Sequence, residues 1–399
     1  MTNNKKIKRF YIMPAVWRTV SESQVFNWIE LINEAGLSTD CISISKKSQS
    51  KENIKKIERS LKGRFYQYYL LPDIISDLYQ FVIFFYHYLV NFFYYDKIIF
   101  QTRIPRIGSV LSVLRLFPKV RIILELRGAK LEERKYQISE KSMSLRLKLK
   151  ERLMEFNIKL FLKRADAIFC VSEALKKYFI SIYNANEKKT YVFPGVADCK
   201  YFFYSKEIRN DYRNKLKYSN EDIVIVYSGA LGMKWEIPEQ VFKFIKDLIS
   251  INKNYKFLII TPDVDLAHKY SKEYGIFNFT TVLISSFQNV NNYLNAADIG
   301  LLLREKALMN QVASPTKFSE YILAGLPVIL SDSIDDFTQI IRNTGYGLVL
   351  ENHKKININD SDAIIKLCSE NKEEISNWGN LNFSKGIFIQ KYIDILSNI

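Results

Sequence analysis

The sequence of 399 residues has little of what metal sites and disulfide frameworks require. It contains four cysteines and three histidines, and neither set shows the spacing of a CxxC or HxxxH pattern. Scattered cysteines favour free thiols in a reducing compartment over disulfides. The cysteines are Cys41, Cys170, Cys199 and Cys368. We therefore predict a cytoplasmic protein that has no metal site and needs no metal cofactor.

A membrane-spanning run is missing as well. The N-terminus is basic and then briefly apolar, but the apolar run ends at Pro14, which predicts a first strand and not a signal peptide. The aromatic segment Leu78–Tyr95 is shorter than the ~20 apolar residues that a span needs. Polar residues in and before it fall on one helical stripe at 100° per residue, which predicts a mostly covered helix whose polar stripe faces water. An amphipathic helix in the plane of a membrane stays open as the alternative. The stripe consists of Asp73, Asp77, Gln80, His87 and Asn91.

The net charge of +16 is carried by one half of the chain. Residues 1–205 contain 36 Lys and Arg against 19 Asp and Glu, whereas residues 206–399 contain 22 against 23. A basic field on one domain implies an anionic partner such as a phospholipid surface, a pyrophosphate lipid or nucleic acid. Because no RNP, helix-turn-helix or zinc-knuckle pattern accompanies the charge, nucleic acid is the least favoured partner. A solvated basic surface without a partner is the alternative.

A helix predicted from about Ser142 to Arg164 concentrates part of this charge. Its basic residues recur at spacings of seven and four on one helical face. The apolar residues expected on other faces are Leu147, Leu149, Leu153, Phe156 and Leu160. Helices of this kind rest on anionic membranes, where each basic residue near the surface contributes ~1 kcal/mol. An exposed, solvated face is an equally open interpretation. The basic residues are Lys141, Lys148, Arg152, Lys159 and Lys163.

The chain length suits two domains of about 200 residues, each with its own core. Short apolar strands alternate with helices, which predicts a parallel, Rossmann-like sheet. We place the first domain at residues 1–205 and the second at 206–380, with the polar stretch Tyr204–Asp222 between them and a last helix at about 381–399. The second domain begins with a strand at Ile223–Tyr227. Strands of the first domain are predicted at Phe10–Pro14, Cys41–Ser45, Lys97–Gln101, Val120–Leu126, Ala167–Val171 and Thr190–Phe193.

The stretch Asn295–Ser331 has the clearest pattern in the chain. It predicts a strand at Ile299–Leu303, a polar loop, a helix at Pro315–Leu323 and a second buried strand at Pro327–Leu330. Such an order is typical of a parallel sheet that is covered by helices on both faces.

The start of this predicted helix is a candidate phosphate site. Ser314 is expected to cap the helix, with Pro315 at its first position. A helix N-terminus beside the carboxyl end of a parallel strand carries unpaired N–H groups and partial positive charge. Lys317 adds a full charge, and Glu320, one turn later, offers a carboxylate at a distance suited to ribose hydroxyls.

A glycine-containing loop, YSGALGMKW at Tyr227–Trp235, follows the first strand of the second domain. Gly229 and Gly232 allow the backbone to approach a phosphate closely, and Lys234 adds a cation. A glycine pair after a strand is weak by itself and gains weight from Lys317.

These residues carry a resemblance to a known family. AADIGLLLRE at Ala296–Glu305 and SPTKFSEYILAGLPVI at Ser314–Ile329 resemble nucleotide-sugar-dependent glycosyltransferases of the GT-B fold, in the group that builds bacterial surface polysaccharides. The resemblance implies an α/β protein of two Rossmann-like, doubly wound domains that face a cleft. In that fold the first domain binds the acceptor, the second binds the nucleotide sugar, and the C-terminal helix crosses back to the first.

The resemblance also implies roles for residues of the second domain. Glu320, in the family's E-x-x-x-x-G-x-P-V pattern, would hold the donor ribose, and Lys234 matches a lysine that contacts the diphosphate. Two positions depart from the family. Ala230 stands where many relatives have an arginine on the diphosphate, and Val312 stands where the first Glu of a Glu-x7-Glu pair would contact the donor sugar.

The bacterial polysaccharide subset has an Arg-Glu pair at the strand end instead, matched here by Arg304 and Glu305. We expect Arg304 to support the phosphate and Glu305 or Asn310 to bind sugar hydroxyls, with ordinary loop polarity as the alternative. The donor-binding set is then Gly229, Gly232, Lys234, Glu305, Asn310, Ser314, Pro315, Thr316, Lys317 and Glu320. The predicted catalytic set is Lys234, Lys317, Arg304 and Arg127.

The acceptor side is predicted from ILELRGAKLEE at Ile123–Glu133, which is similar to a D/E-x-R-G-x-x-x-E-E stretch of the same subset. Gly128 would permit a tight turn, while Glu125, Arg127 and Glu133 would face the acceptor or the donor phosphate. Arg18, after the first strand, is a further candidate. A structural ion pair of Arg127 with either glutamate is the equally open alternative.

The resemblance implies a glycosyltransferase of the hexosyltransferase type. It would move a sugar from a nucleotide-sugar donor to a lipid-linked saccharide acceptor, with retention and without a metal. We expect it as a peripheral protein on the anionic, inner face of the cytoplasmic membrane. A nucleotide-sugar epimerase of the same fold and a catalytically inert, membrane-associated subunit of a polysaccharide assembly complex remain as alternatives.

Overall fold

The computed structural model describes residues 6–13, 25–137, 145–232 and 236–399. The chain divides into two compact units, the first formed by Met1–Pro194 with Gly386–Ile399 and the second by Gly195–Lys385. Each unit contains one parallel sheet with helices, so the predicted α/β fold with two Rossmann-like units is confirmed. The unit boundary after Pro194 lies earlier in the chain than the predicted domain boundary after residue 205.

The first unit is built on a seven-stranded parallel sheet with the order β3-β2-β1-β4-β5-β6-β7. The order reverses between β1 and β4, and ligands of doubly wound sheets bind at the carboxyl ends of strands beside such a reversal. One strand, β3, is absent from the prediction. The strands are β1 (Ile7–Met13), β2 (Ser38–Ser45), β3 (Phe65–Tyr69), β4 (Lys97–Thr102), β5 (Val120–Leu126), β6 (Ala167–Cys170) and β7 (Thr190–Val192).

Helices of the first unit connect successive strands. A core of residues from β1, β4, β5 and β6 packs with the last helix of the chain through Tyr392, Ile395 and Leu396. The described helices are α1 (Asn27–Glu34), α2 (Lys51–Leu61), α3 (Asp73–Asn91), α4 (Gly108–Leu114), α5 (Lys130–Gln137), α6 (Leu145–Arg164), α7 (Glu173–Tyr183) and, from the C-terminus, α17 (Lys385–Asn398).

The return of α17 to the first unit confirms a prediction. Lys97 Nζ donates to the carbonyl oxygens of Leu396 at 3.2 Å and Ser397 at 2.8 Å, a cation at the negative end of a helix. The hydroxyl of Tyr392 donates to Gln101 Oε1 at 2.6 Å. These contacts hold the end of the chain on the sheet of the first unit.

Helix α3 corrects the prediction made for its polar stripe. Gln80 and His87 are 3% and 2% exposed, so the described polar stripe of the middle of the helix faces inward. His87 Nε2 lies 2.9 Å from the hydroxyl of Tyr68 on β3, and its ring packs on Phe10 of β1. The prediction failed because Tyr68 lies on a strand that was not predicted, and because Phe10 is distant from His87 in sequence.

Helix α6 corrects a second prediction. Leu149, Leu153 and Phe156 are exposed, as are Lys148 and Arg152. Apolar and basic residues therefore share the outer side of α6 and do not separate onto different faces. Lys141 and Ser142 lie outside the described residues.

The second unit is built on a six-stranded parallel sheet with the order β10-β9-β8-β11-β12-β13, again with a reversal, between β8 and β11. Its core contains strand residues such as Ile225, Phe257 and Leu301 together with one side of the helix that follows β8. The strands are β8 (Ile223–Ser228), β9 (Tyr255–Ile260), β10 (Thr280–Leu283), β11 (Ile299–Leu302), β12 (Val328–Ser331) and β13 (Gly347–Leu350).

The predicted polar connection Tyr204–Asp222 contains a helix that the prediction missed. Ser205 caps it by accepting a hydrogen bond from the amide of Ile208, and Arg213 pairs with the buried Asp298 at 3.1 Å. The described helices are α8 (Lys206–Lys215), α9 (Pro238–Ile251), α10 (Val264–Glu273), α11 (Phe287–Ala296), α12 (Leu308–Gln311), α13 (Thr316–Leu323), α14 (Asp335–Thr344), α15 (Ile358–Cys368) and α16 (Lys372–Phe383). Within the described parts of both units, no helix has the length and apolarity to cross a bilayer.

Candidate functional site

The candidate phosphate site lies at the start of α13 in the second unit. Pro315 occupies the N-cap position, and no side chain caps the helix. The predicted cap is wrong, because the Ser314 hydroxyl accepts a hydrogen bond from the amide of Gly195 at 2.8 Å. Among the described residues, the amides of Thr316 and Lys317 have no hydrogen-bond partner. This end of α13 therefore presents free N–H groups, as an anion site requires.

Gly195 allows this arrangement by its lack of a side chain. A methyl group on its Cα would overlap the carbonyl oxygen of Ser314. Its own carbonyl oxygen accepts a hydrogen bond from the Ser319 hydroxyl at 3.0 Å. The segment after β7 is thereby fixed to the first turn of α13, a contact between residues more than 100 positions apart.

Lys317 and Glu320 come together as predicted from their spacing. Lys317 Nζ lies 2.8 Å from Glu320 Oε2, and Glu320 is 4% exposed while the Lys317 side chain is 30% exposed. The buried carboxylate of Glu320 holds the ammonium group beside the positive end of the helix. The ammonium group and the free amides together suit two negative charges, such as those of a diphosphate.

The glycine loop after β8 is joined to α13. The hydroxyl of Tyr321, next to Glu320, accepts a hydrogen bond from the amide of Ser228 at 2.9 Å. Gly229 has φ of 153°, a value that side chains rarely allow, so this position of the loop favours glycine. Lys234, predicted to contact the diphosphate, lies outside the described residues.

Asp263, after β9, is a site residue that the sequence analysis missed. Its Oδ2 accepts hydrogen bonds from the amides of Leu231 at 2.7 Å and Gly232 at 3.3 Å. The carboxylate thus occupies two amides of the loop predicted to bind phosphate. A lone aspartate after a strand gave no sequence signal, because its partners are about 30 residues earlier.

Arg304 is engaged with a residue that the prediction also missed. Its Nη2 lies 3.0 Å from Glu236 Oε1, and both side chains are largely buried. The Tyr227 hydroxyl lies 3.0 Å from Glu236 Oε2. Arg304 Nε is buried without a partner among the described residues. The pair links the end of β11 to the end of the glycine loop. Arg304 was predicted to support the phosphate, whereas in the structure its guanidinium group is paired with Glu236.

Glu305 and Asn310 lie in the same loop but face other groups. Asn310 is buried, and its Nδ2 donates to the carbonyl oxygen of Glu305 at 2.8 Å, which stabilises the loop. Glu305 Oε1 lies 3.7 Å from His353 Nε2, and both residues line a pocket that Lys243 also lines. No hydrogen bond or ion pair in the described chain joins Glu305 or Asn310 to the Lys317–Glu320 pair. Val312 is 2% exposed and apolar.

In the first unit, Glu125 and Arg127 line a small pocket at the carboxyl end of β5. Arg127 Nη1 lies 3.5 Å from Glu125 Oε1, and Glu125 Oε2 accepts hydrogen bonds from the Tyr11 hydroxyl and Gln101 Nε2. Burial disfavours the charged carboxylate, but the Arg103 and Arg127 charges outweigh it and hold the pKa of Glu125 below its usual value. Arg127 and Glu125 therefore form an ion pair and also line a pocket.

Gly128 was predicted to permit a tight turn, and in the structure it lies against the carboxylate of Glu133. A side chain on Gly128 would overlap the carboxylate of Glu133, so the glycine makes room for that group. Burial raises the pKa of the Glu133 carboxyl, against the charge of Lys130. Glu133 is not among the residues that line the Glu125 pocket. Arg18 lies outside the described residues.

Two parallel α/β sheets, with a cationic helix start at the strand ends of the second, are the architecture of the GT-B fold. Residues 208–381 match the family Glycosyl transferases group 1. The resemblance predicted from Ala296–Glu305 and Ser314–Ile329 is confirmed by this match.

Comparison with known proteins agrees with the fold. A Bacillus subtilis (strain 168) protein, TuaH, named as a teichuronic acid biosynthesis glycosyltransferase, is 25% identical over 169 residues, which are 42% of this chain and 41% of that protein. The crystal structure of Anabaena Alr3699/HepE with UDP has a TM-score of 0.71 at 12% identity, over 99% of this chain and 100% of that one. WaaG, a glycosyltransferase involved in lipopolysaccharide biosynthesis, has a TM-score of 0.64 at 12% identity over 98% and 99%.

Proposed function

We propose that this protein is a nucleotide-sugar-dependent glycosyltransferase that transfers a sugar to a saccharide acceptor during synthesis of a bacterial surface polysaccharide. One observation carries the proposal. At the start of α13, free amides of Thr316 and Lys317 adjoin an ammonium group that Glu320 holds in place. This arrangement suits the diphosphate of a nucleotide sugar, with Glu320 beside the ribose.

The chemistry requires stabilisation of a leaving group. Cleavage of the anomeric C–O bond leaves a nucleoside diphosphate with one additional negative charge, and groups placed to receive that charge lower the barrier. Lys317 and the α13 amides are the described groups that fit this role. We propose retention of anomeric configuration by front-side attack, in which the departing phosphate oxygen takes the proton of the acceptor hydroxyl. A metal-independent reaction stays a prediction.

The donor is proposed as a nucleoside diphosphate sugar. HepE, which shares the fold, was crystallised with UDP and with UDP-glucose, which makes uridine nucleotides the first donors to test. We assign donor binding to the second domain and acceptor binding to the first. Glu125 and Arg127, at the pocket of the first unit, are the proposed acceptor-side residues, with Gly128 and Glu133 next to them.

A lipid-linked saccharide is the proposed acceptor, and the inner face of the cytoplasmic membrane the proposed location. Residues 1–205 contain 36 Lys and Arg but only 19 Asp and Glu, and this positive charge supports an anionic partner for that part of the chain. A teichuronic acid glycosyltransferase among the relatives is compatible with a role at the cell surface.

An inert subunit of a polysaccharide assembly complex is the second candidate function. Val312 is buried and apolar where the family places a carboxylate, and Arg304 is paired with Glu236. Both observations favour a weakened site. Nucleotide binding without transfer to any acceptor would support this candidate.

The test is a thermal-shift panel of nucleoside diphosphates and the corresponding nucleosides. At 100 times its dissociation constant a diphosphate should add ~2.7 kcal/mol of stability, and a nucleoside should add less because it lacks the charges. Lys317→Ala and Glu320→Ala should reduce the diphosphate shift. Lys206→Ala, which removes an exposed lysine from the first turn of α8 in the same unit, is the matched control. Equal shifts in all four proteins would refute the donor site.

Transfer itself is tested with the donor identified by that panel. Product formation with a lipid-linked oligosaccharide supports the enzyme, and NMR of the new anomeric linkage reports its configuration. An inverted product would refute the proposed stereochemistry while leaving the transfer activity intact.

A further inference from the structure

We infer that the outer side of helices α3, α4 and α6 binds an anionic phospholipid bilayer, with the apolar face of α3 inserted among the lipids. We call this region the α3–α6 surface. The inference deepens the proposed function by naming the surface that contacts the membrane. It rests on the proposed function in one respect, because the lipid-linked acceptor is the reason for binding a membrane.

Helix α3 presents an apolar stripe to solvent. Leu78, Val82, Tyr86 and Leu89 follow one another at intervals of three and four residues, which places them on one face, and Phe93 is exposed in the turn after the helix. Leu78 is 70% exposed and Phe93 is 87% exposed. The sequence from residue 78 to residue 95 contains no Asp, Glu, Lys or Arg. Contiguous exposed apolar surface of this kind marks an interaction site.

The inward face of α3 explains why the apolar stripe stays outside. Ser76 accepts a hydrogen bond from Gln80 Nε2 at 2.7 Å, and His87 is bonded to Tyr68. Rotation of the helix to bury its apolar stripe would break these contacts and expose the buried Phe84. The orientation is therefore fixed by packing, and the stripe has to find its partner outside this unit.

Helices α4 and α6 extend the surface and add positive charge. Helix α4 packs against both α3 and α6. The end of α4 exposes Val113, and the turn after it exposes Leu116. On α6, Leu149, Arg152, Phe156, Lys159 and Lys163 are all exposed and follow one another at intervals of three and four. Leucine and phenylalanine side chains thus alternate with cations along one face, which is typical of helices at an anionic membrane surface.

Charge favours a bilayer over a second copy of this chain. Lys159 is paired with Glu155 at 2.7 Å, but Lys148, Arg152 and Lys163 add three exposed cations on the same side of α6. In a symmetric dimer the same patch would meet itself, so these cations would face one another. A bilayer offers anionic headgroups to the cations of α6 and hydrocarbon to the side chains of α3.

Vesicle flotation with purified full-length protein tests the inference. The vesicles contain phosphatidylcholine alone or mixed with phosphatidylglycerol. The insertion variant is Leu78→Ser with Val82→Ser and Phe93→Ser, and we expect it to lose at least tenfold in partitioning to the mixed vesicles. The charge variant, Lys148→Gln with Arg152→Gln and Lys163→Gln, should lose the preference for anionic vesicles.

A matched control removes three exposed apolar side chains from the second unit, where Ile284, Ile358 and Leu381 are 68%, 64% and 75% exposed. Their triple serine variant should float like the unmodified protein. Equal flotation of the insertion variant and this control would overturn the inference. Loss of a dimer in the insertion variant, measured by light scattering, would also overturn it and assign the surface to a second copy.

The nucleotide thermal shift separates this test from that of the proposed function. The insertion variant should keep the full diphosphate shift, because none of its changes lies in the second unit. Vesicle binding by a protein that shows no nucleotide shift would refute the donor site and leave the membrane surface in place. A normal nucleotide shift without any vesicle binding would refute the membrane surface and leave the donor site in place.

Discussion

Helices α13 and α3 relate to their surroundings in opposite ways. Helix α13 buries Phe318 and Tyr321 in the second unit and offers its backbone N-terminus as the candidate site. Helix α3 buries the polar Gln80 and His87 in the first unit and leaves an apolar stripe outside. The comparison shows that an amphipathic pattern gives the faces of a helix, while the packed strands decide which face turns inward.

The largest expected effect is a loss of turnover when the start of α13 is changed. Lys317→Ala removes the ammonium group from the proposed leaving-group site and should lower turnover by about 100-fold or more, the range found for loss of one charge-stabilising group. The protein should still fold, because the Lys317 side chain is partly exposed. Steady-state rates with the donor and circular dichroism provide the two measurements. An undiminished rate would remove Lys317 from the site, with Lys206→Ala again as control.

Gly195→Ala tests whether the start of α13 depends on the distant segment after β7. The added methyl group overlaps the carbonyl oxygen of Ser314, so the two segments must separate, at a cost of about 1–3 kcal/mol in folding free energy. Weaker nucleotide binding should accompany the lower melting temperature. Gly386→Ala in α17 meets no atom within 4 Å and is the control. The same melting temperature in both variants would show that the Gly195 contact is dispensable.

These two positions also show how far the sequence could predict the site. The strands around α13, the Lys317–Glu320 pair and its family resemblance depend on residues within a few positions of each other, and all were predictable. The Ser314 cap was predicted wrongly, because the hydroxyl is bonded to Gly195 from another part of the chain. Asp263 and Glu236 were missed for the same reason, since their partners lie in other loops.

The first unit shows the same limit for the fold. Strand β5 was predicted with its observed bounds, Val120–Leu126, because a buried parallel strand is visible as a local apolar run. The orientation of α3 was not predictable, because it follows from Tyr68 on β3, a strand that was itself missed. Local sequence patterns therefore predict where helices and strands lie along the chain. Which face of a helix turns inward is decided by contacts with other elements, and local patterns do not predict these contacts.

Acid titration should reveal the inward polar face of α3. Burial lowers the pKa of His87 to about 4, so the folded protein resists protonation at a pH where the unfolded chain, with a histidine pKa near 6.5, accepts a proton. Stability is therefore full above about pH 6.5 and falls between that pH and 4, by about 2 kcal/mol at pH 5. We expect the melting temperature to fall over this range, and to fall less in His87→Gln. Parallel curves for both proteins would contradict the neutral, buried histidine.

The smallest expected effect concerns the glycine loop, where Asp263 brings a negative charge to amides near the proposed diphosphate. Asp263→Asn keeps an oxygen that accepts from Leu231 and Gly232 but removes the charge, so nucleoside diphosphates should bind a few-fold more tightly, a change of about 1 kcal/mol or less. Asp263→Ala removes the acceptor as well and should bind them more weakly, because the loop loses its anchor. Calorimetric titration at low and high salt measures both, and the gain in the asparagine variant should shrink with salt as charges are screened. Equal affinities in all three proteins would place the loop away from the diphosphate and leave the start of α13 as the whole of the anion site.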